Sequence, residues 1–310
     1  MSFPLPSVTP PVLQNWQMQY GGLTFGADTP YAIDNVEGLD LPAVRNGDVA
    51  RPRDTGEFIG LDLLGGRTVT IDLDSTSDGT SLQSALTALA GALIPPPDGQ
   101  TESPLWVQLP NLPLLAVSCR VRKRQLPIDL PWSTGSYAKK IIVELHATDP
   151  RVYAPSVASI ITLSAPTGGL TFDATPSFTF GSGGVSSATI NNTGNIEMRP
   201  LITFTGPVTN PAITNQTLGL ELSFSNPNQI DYTLNAGDKL VVDTDQHQAT
   251  YYPSGSSVGS SRRNWLVAGS TWWDLPPGSS TLQFDSGDAS LPTPAPTCEI
   301  DWAPAYVSAT

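Results

Sequence analysis

The chain has 310 residues, more than one typical domain, with 30 prolines, 27 glycines and an apolar fraction of 39%. Turn residues at that density suit an all-β fold, and seven tryptophans, eight tyrosines and nine phenylalanines argue against disorder. A net charge of −13 and a pI near 4.4 exclude a surface that grips nucleic acid or an anionic membrane, although duplex DNA could slide past it.

Residues 1–12 form a proline-rich arm. The start, Met1-Ser2-Phe3-Pro4-Leu5-Pro6, has neither the basic leader nor the apolar run of a signal peptide. No stretch is apolar for long enough to span a bilayer, so no membrane insertion is expected. From Trp16 the pattern turns to strands: Trp16, Met18 and Tyr20 alternate, Gly21-Gly22 turns, and 23–26 follows. Asn46-Gly47 reads as a hairpin turn. Residues 67–74 read as a half-buried strand with Val69, Ile71 and Leu73 inward.

A helix is predicted over 81–94, with Thr80 and Gln83 as a capping box and Leu82, Leu86, Leu89 and Leu93 as one apolar stripe. Pro95-Pro96-Pro97 ends it. A basic strand follows, with Val117, Cys119 and Val121 on one face. Ser118, Arg120, Arg122 and Arg124 take the other, with Lys123 adjacent. This stripe lacks the interleaved aromatics of a nucleic-acid patch, so Arg120, Arg122 and Arg124 are candidates for a subunit contact or a solvated face.

The run 141–155 is the expected seam. It begins as a strand, with Ile141, Val143, Leu145 and Ala147 on one face, and Asp149-Pro150 stops it. The predicted domains are therefore 1–153 and 154–310. Splitting at 154 leaves 11 basic and 16 acidic residues before it and 4 and 12 after, net −5 and −8. The second half shows short strands at regular spacing, at 160–163, 170–172, 178–180, 189–191, 201–204, 218–224, 239–243, 250–252, 281–284 and 297–302. That spacing is the mark of a β-sandwich or jelly roll.

The chemistry-bearing patterns are weak. Gly255-Ser256-Ser257-Val258-Gly259 fits a nucleophile elbow, but Pro253 precedes it and no histidine follows His247. Asp243, Asp245 and His247 would share a face on a continuing strand, yet one segment supplies too few metal ligands. No P-loop or dinucleotide fingerprint occurs. The expectation is a non-enzyme without cofactor or metal. Cys119 and Cys298 read as two buried thiols rather than a bridge. Trp265, Trp272 and Trp273 are candidate carbohydrate contacts, since indole rings stack on sugars. They support an alternative reading, a carbohydrate-binding module for host-surface adhesion.

Several runs together resemble the distal tail proteins of long-tailed siphophages, the minor tail proteins of the actinobacteriophage type. In the first half these are Phe25-Gly26 to Gly38-Leu39-Asp40, Val44-Arg45 with Asp48, Gly56-Glu57-Phe58-Ile59-Gly60, and Ala147-Thr148-Asp149-Pro150-Arg151-Val152-Tyr153. In the second they are Asn192-Thr193-Gly194-Asn195, Arg199-Pro200, Gly206-Pro207, Asn210-Pro211, Gly237-Asp238, Trp273 with Leu275-Pro276-Pro277-Gly278, and Trp302 with Ala305-Tyr306. The resemblance implies a tail-tube-like β-barrel domain with one helix, then a galectin-like β-sandwich. It implies a homo-hexameric ring at the virion tail tip, assembled in the host cytoplasm. Its partners would be the tail tube protein, the tail-tip hub proteins and the tape measure protein. DNA would pass through the lumen without specific binding, so lumen-facing residues are expected to be mainly Asp, Glu, Ser, Thr and Asn of the first domain. The family brings no catalytic residues.

Overall fold

A computed structural model describes residues 9–75, 79–126, 137–162, 171–172, 178–179, 186–226, 233–288 and 292–309. They divide into two compact units. One runs to Pro155 and regains the chain at 305–309; the other is Ser156–Pro304. The division falls two residues beyond the sequence boundary, and the return of the C-terminus to the first unit is a departure from the expected 154–310 domain.

The first unit begins with β1 (Gln17–Tyr20), β2 (Leu23–Gly26) and β3 (Tyr31–Glu37). Four two-residue strands follow: β4 (Val44–Arg45), β5 (Val49–Ala50), β6 (Glu57–Phe58) and β7 (Leu63–Leu64). Then come β8 (Arg67–Ser75), α1 (Gly79–Ala92), β9 (Ser103–Gln108), β10 (Leu115–Gln125), β11 (Ala138–Ala147) and β12 (Val152–Tyr153). The main sheet runs β2-β1-β9-β10-β11-β8-β3, all antiparallel. Its two ends converge, with Phe25 of β2 meeting Tyr31 of β3 edge to face at 6.3 Å.

Strand alternation holds as read: Val69, Ile71 and Leu73 are buried beside Leu145, Val143 and Ile141 at paired positions of β11. The helix starts and ends two residues earlier than predicted, but Leu82, Leu86, Leu89 and Leu93 all enter this core. Tyr31 reinforces the contact, its hydroxyl donating to the Ala85 carbonyl at 2.7 Å. The Thr80 side chain of the expected capping box lies outside the described residues. Trp16 departs from the alternation. It precedes β1 with φ +63° and is 61% exposed, while Met18 and Tyr20 are buried.

The second unit is a β-sandwich. Its six-stranded sheet holds β13 (Val157–Thr162), β17 (Leu201–Thr205), β20 (Lys239–Asp243), β21 (Gln248–Tyr252), β22 (Ser260–Ser261) and β24 (Thr297–Trp302), in the order β13-β24-β17-β20-β21-β22. The opposing sheet is β16-β23-β18-β19, formed by β16 (Ser187–Asn192), β23 (Gly278–Asp285), β18 (Ala212–Asn215) and β19 (Leu220–Ser223). A short ribbon pairs β14 (Thr171–Phe172) with β15 (Phe178–Thr179). The sheets meet through aromatic rings: Phe204 packs on Phe284 at 5.6 Å and on Phe224 at 6.0 Å. Such pairs add about 1 kcal/mol to the area they bury.

Cys119 and Cys298 are free, buried thiols in separate units, and burial pushes both well above the ordinary thiol range. No helix among the described residues is long and apolar enough to cross a membrane. The whole described chain is mainly β, with α1 its one α-helix.

Candidate functional site

Between β3 and β8 the chain leaves the main sheet as a two-stranded arm over residues 41–65. Val44 pairs with Leu64 and Arg45 with Leu63; further out, Val49 pairs with Phe58 and Ala50 with Glu57. The predicted hairpin at Asn46-Gly47 is not one. The reversal lies at 51–56, where the Arg51 amide donates to the Gly56 carbonyl. Gly47 instead marks the point where the strands touch, since a Cβ on Gly60 would stand 2.1 Å from the Gly47 carbonyl. Asp48 ties the same point, accepting the Gly60 N–H at 2.7 Å.

The arm carries apolar side chains with little to cover them. Ile59 is 98% exposed and Leu61 74%, and Leu41, Val44, Val49, Phe58 and Leu63 are exposed as well. Arg51 lies over the Phe58 ring at 5.2 Å, the chief local shelter for it. An isolated two-stranded ribbon is marginal in water, and a patch of this composition marks an interaction surface. Elsewhere in the first unit a cleft of about 1160 Å³ is lined by Trp16, Met18, Ile33, Val36, Leu39 and Leu112, among others.

The arginine stripe is not one face. A β-bulge between Val121 and Lys123 takes up Arg122, so alternation inverts beyond it. Arg120 stands opposite His146 and Lys123 opposite Glu144, on the face away from the helix. Lys123 pairs with Glu144 at 2.9 Å. Arg124 stands opposite buried Val143 and reaches the end of α1, donating to the Ala90 carbonyl at 2.6 Å and to the Leu93 carbonyl at 3.4 Å. This corrects the expected common role: Arg124 caps a helix C-terminus, where the dipole favours a cation.

Sequence reading missed Arg67. It is 2% exposed at the start of β8. Its guanidinium donates to the carbonyls of Pro150 at 2.9 Å, Gly38 at 2.6 Å, Asp40 at 2.5 Å and Val307 at 2.5 Å. Burial pushes its pKa down, and Asp40 and Asp149 pull it back. The same residues hold the returning C-terminus, where β25 (Ala305–Tyr306) pairs with β12 and the Ala309 amide donates to the Leu39 carbonyl.

In the second unit the Asp243/Asp245/His247 trio is broken by a hairpin turn. Asp243 accepts the amides of Asp245 and Gln246 at 2.9 Å each, and His247 sits at φ +52°. Asp245 pairs with Arg199, which also meets Asp274 at 3.6 Å. His247 stacks on Trp272 with centroids 4.9 Å apart and planes 20° apart. These groups line a cleft of about 550 Å³ with Glu197, Leu218, Leu220, Trp273 and Pro276. No group of three or more His, Cys, Asp or Glu with metal-binding geometry occurs among the described residues.

The three candidate tryptophans part company. Trp265 is 6% exposed, packed on Tyr251 at 5.5 Å under Arg262, and Trp273 is 3% exposed. Neither offers a ring to solvent, which narrows the carbohydrate expectation to half-buried Trp272.

Residues 193–306 match the family model for the siphovirus-type tail component, C-terminal domain. The match covers most of the second unit, which is similar to that domain. The resemblance to distal tail proteins drawn from the sequence is thereby borne out. Over both units the fold is that of SPP1 Dit, described as a paradigm of the hub adsorption apparatus in Gram-positive infecting phages. The TM-score is 0.59 at 18% identity, covering 92% of this chain and 97% of that one. The phage P2 baseplate in its activated conformation with Ca contains a chain that matches with a TM-score of 0.50 at 9% identity, covering 92% and 96%. The chain matches no curated protein sequence.

Proposed function

We propose that this tail component is a distal tail protein whose first unit closes into a homo-hexameric ring, joining the tail tube to the tail-tip hub of the virion. The carrying observation is the apolar arm at 41–65, which buries little in its own chain and needs a neighbour. In the ring the arm lies on the next copy, and the Trp16–Leu112 cleft is the apolar surface suited to receive it. The role is structural rather than enzymatic. Tail tube protein, hub proteins and tape measure protein are its partners, and assembly takes place in the host cytoplasm before the tail is complete.

The helix-free face of the main sheet is the proposed lining of the lumen. It carries Thr68, Thr70, Asp72 and Glu144 together with His146, Arg120 and Lys123, so that Asp72 and Glu144 offset the two cations and the Lys123 charge is paired directly with Glu144. Each phosphate neutralised by a basic wall adds affinity through counterion release, so a near-neutral or acidic wall lets duplex DNA pass.

Mass measurement of the full chain in solution tests the ring. A six-fold mass is expected, and Phe58→Ser with Ile59→Ser should return the protein to a folded monomer. A monomer at every concentration, or a hexamer indifferent to both substitutions, contradicts the reading.

A further inference from the structure

We propose that the cleft around Trp272 in the second unit is a binding site for a neutral saccharide. The ring reading does not depend on it, nor it on the ring. The cleft holds about 550 Å³, within the usual range for small-ligand sites and enough for about one or two sugar rings. Its composition matches the two halves of sugar chemistry. The C–H face of a pyranose needs a flat apolar surface, and Trp272 supplies a half-buried indole in the cleft wall. His247 covers one face of that indole and fixes its plane, so the sugar takes the other. Sugar hydroxyls need carboxylate acceptors and cationic donors in fixed positions. Asp245, Asp274 and Glu197 supply acceptors, and Arg199, between the two aspartates, holds them in place.

Charge selects the class of sugar. Three carboxylates against one guanidinium leave the lining acidic, which repels sialic acids, uronic acids and phosphorylated glycans. The turn that presents Asp245 and His247 is anchored from below, as the Thr244 hydroxyl donates to the Pro200 carbonyl at 2.8 Å. The site is thus formed before a ligand arrives, and little ordering opposes binding.

Saturation-transfer NMR on the full chain with glucose, galactose, mannose and N-acetylglucosamine tests the assignment, with sialic acid as the acidic comparator. At least one neutral sugar should bind with a Kd of about 1 mM. Trp272→Ala should weaken it at least about ten-fold, the step that about 1.4 kcal/mol represents. Leu218→Trp, at an exposed lining position, should fill the cleft and abolish binding even if Trp272→Ala perturbs the fold. Val258→Ala, at an exposed position outside the cleft, should change nothing. No transfer to any of the four neutral sugars, preference for sialic acid, or binding that survives both Trp272→Ala and Leu218→Trp overturns the proposal.

Discussion

Arg67 in the first unit and Arg199 in the second both place a guanidinium near the start of a strand, and they satisfy it in different ways. Arg67 is buried and bound to four neutral carbonyls drawn from three remote stretches of chain. Arg199 is about one-third exposed and bound to two carboxylates at the wall of a cleft. The first arrangement uses four of the five donors and has no face toward solvent, so its work is to fix chain geometry. The second leaves a polar, aromatic surface that a ligand can reach. The difference extends to whole units: the first exposes apolar side chains on an arm, as an assembling subunit does, and the second gathers charge and indole into a cleft.

The largest effect should come from breaking the Arg67 cage. Arg67→Ala leaves buried carbonyls without donors, a loss of about 3 kcal/mol or more. Arg67→Lys should recover only part, because one ammonium cannot span four acceptors fixed by a planar fork. Deleting 305–310 removes the Val307 acceptor and the β12–β25 pair, so it should destabilise the same unit and be less than additive with Arg67→Ala. Chemical denaturation followed separately in each unit reads this. Additive losses, or an unchanged first transition in Arg67→Ala, would remove the cage from the account.

The comparison also explains what the sequence disclosed. The α1 stripe and the Val69, Ile71 and Leu73 row were legible because burial follows the local period of helix and strand. The β-bulge at Arg122 was not, since an extra residue inverts alternation without leaving a compositional mark. Arg67 had the inward parity of Val69 in plain view, but its carbonyl partners lie up to 240 residues away. The cleft was half legible: Asp245, His247 and Trp272 stood out as residue types, whereas Arg199 and Asp274 join them only through the turn and the sandwich edge. Asn46-Gly47 misled because the same dipeptide that favours a two-residue turn also permits close approach of two strands.

A smaller effect should separate Arg124 from Arg120. Arg124→Ala removes a cation from the C-terminus of α1 and should cost about 0.5–1 kcal/mol, less at high salt. Arg120 donates to the Gly99 carbonyl in a loop after the helix, and Arg120→Ala should leave α1 as stable as before. Amide exchange at Leu89 to Leu93 distinguishes them. Equal acceleration in both variants would mean that the stripe acts as one surface after all.

The smallest effect lies in the second unit and depends on pH. Asp301 of β24 sits beside Glu299 on the same face, and burial first, then the Glu299 charge, raises its pKa above the ordinary aspartate value. A carboxyl with a raised folded pKa holds its proton more tightly in the folded state. Its favourable contribution is therefore complete below the unfolded value, about 3.9, and fades as pH rises through the folded value. At neutral pH the ionised group opposes folding, so Asp301→Asn should raise the melting temperature of the second unit. The side chain is only partly buried, and solvent screening keeps the gain to about 1–3 °C. The gain should shrink as pH falls and vanish near pH 3, where wild type carries the proton itself. Paired melts at the two pH values decide it: a gain that is equal at both would assign the effect to packing, and a loss at neutral pH would show that the carboxylate has a stabilising partner.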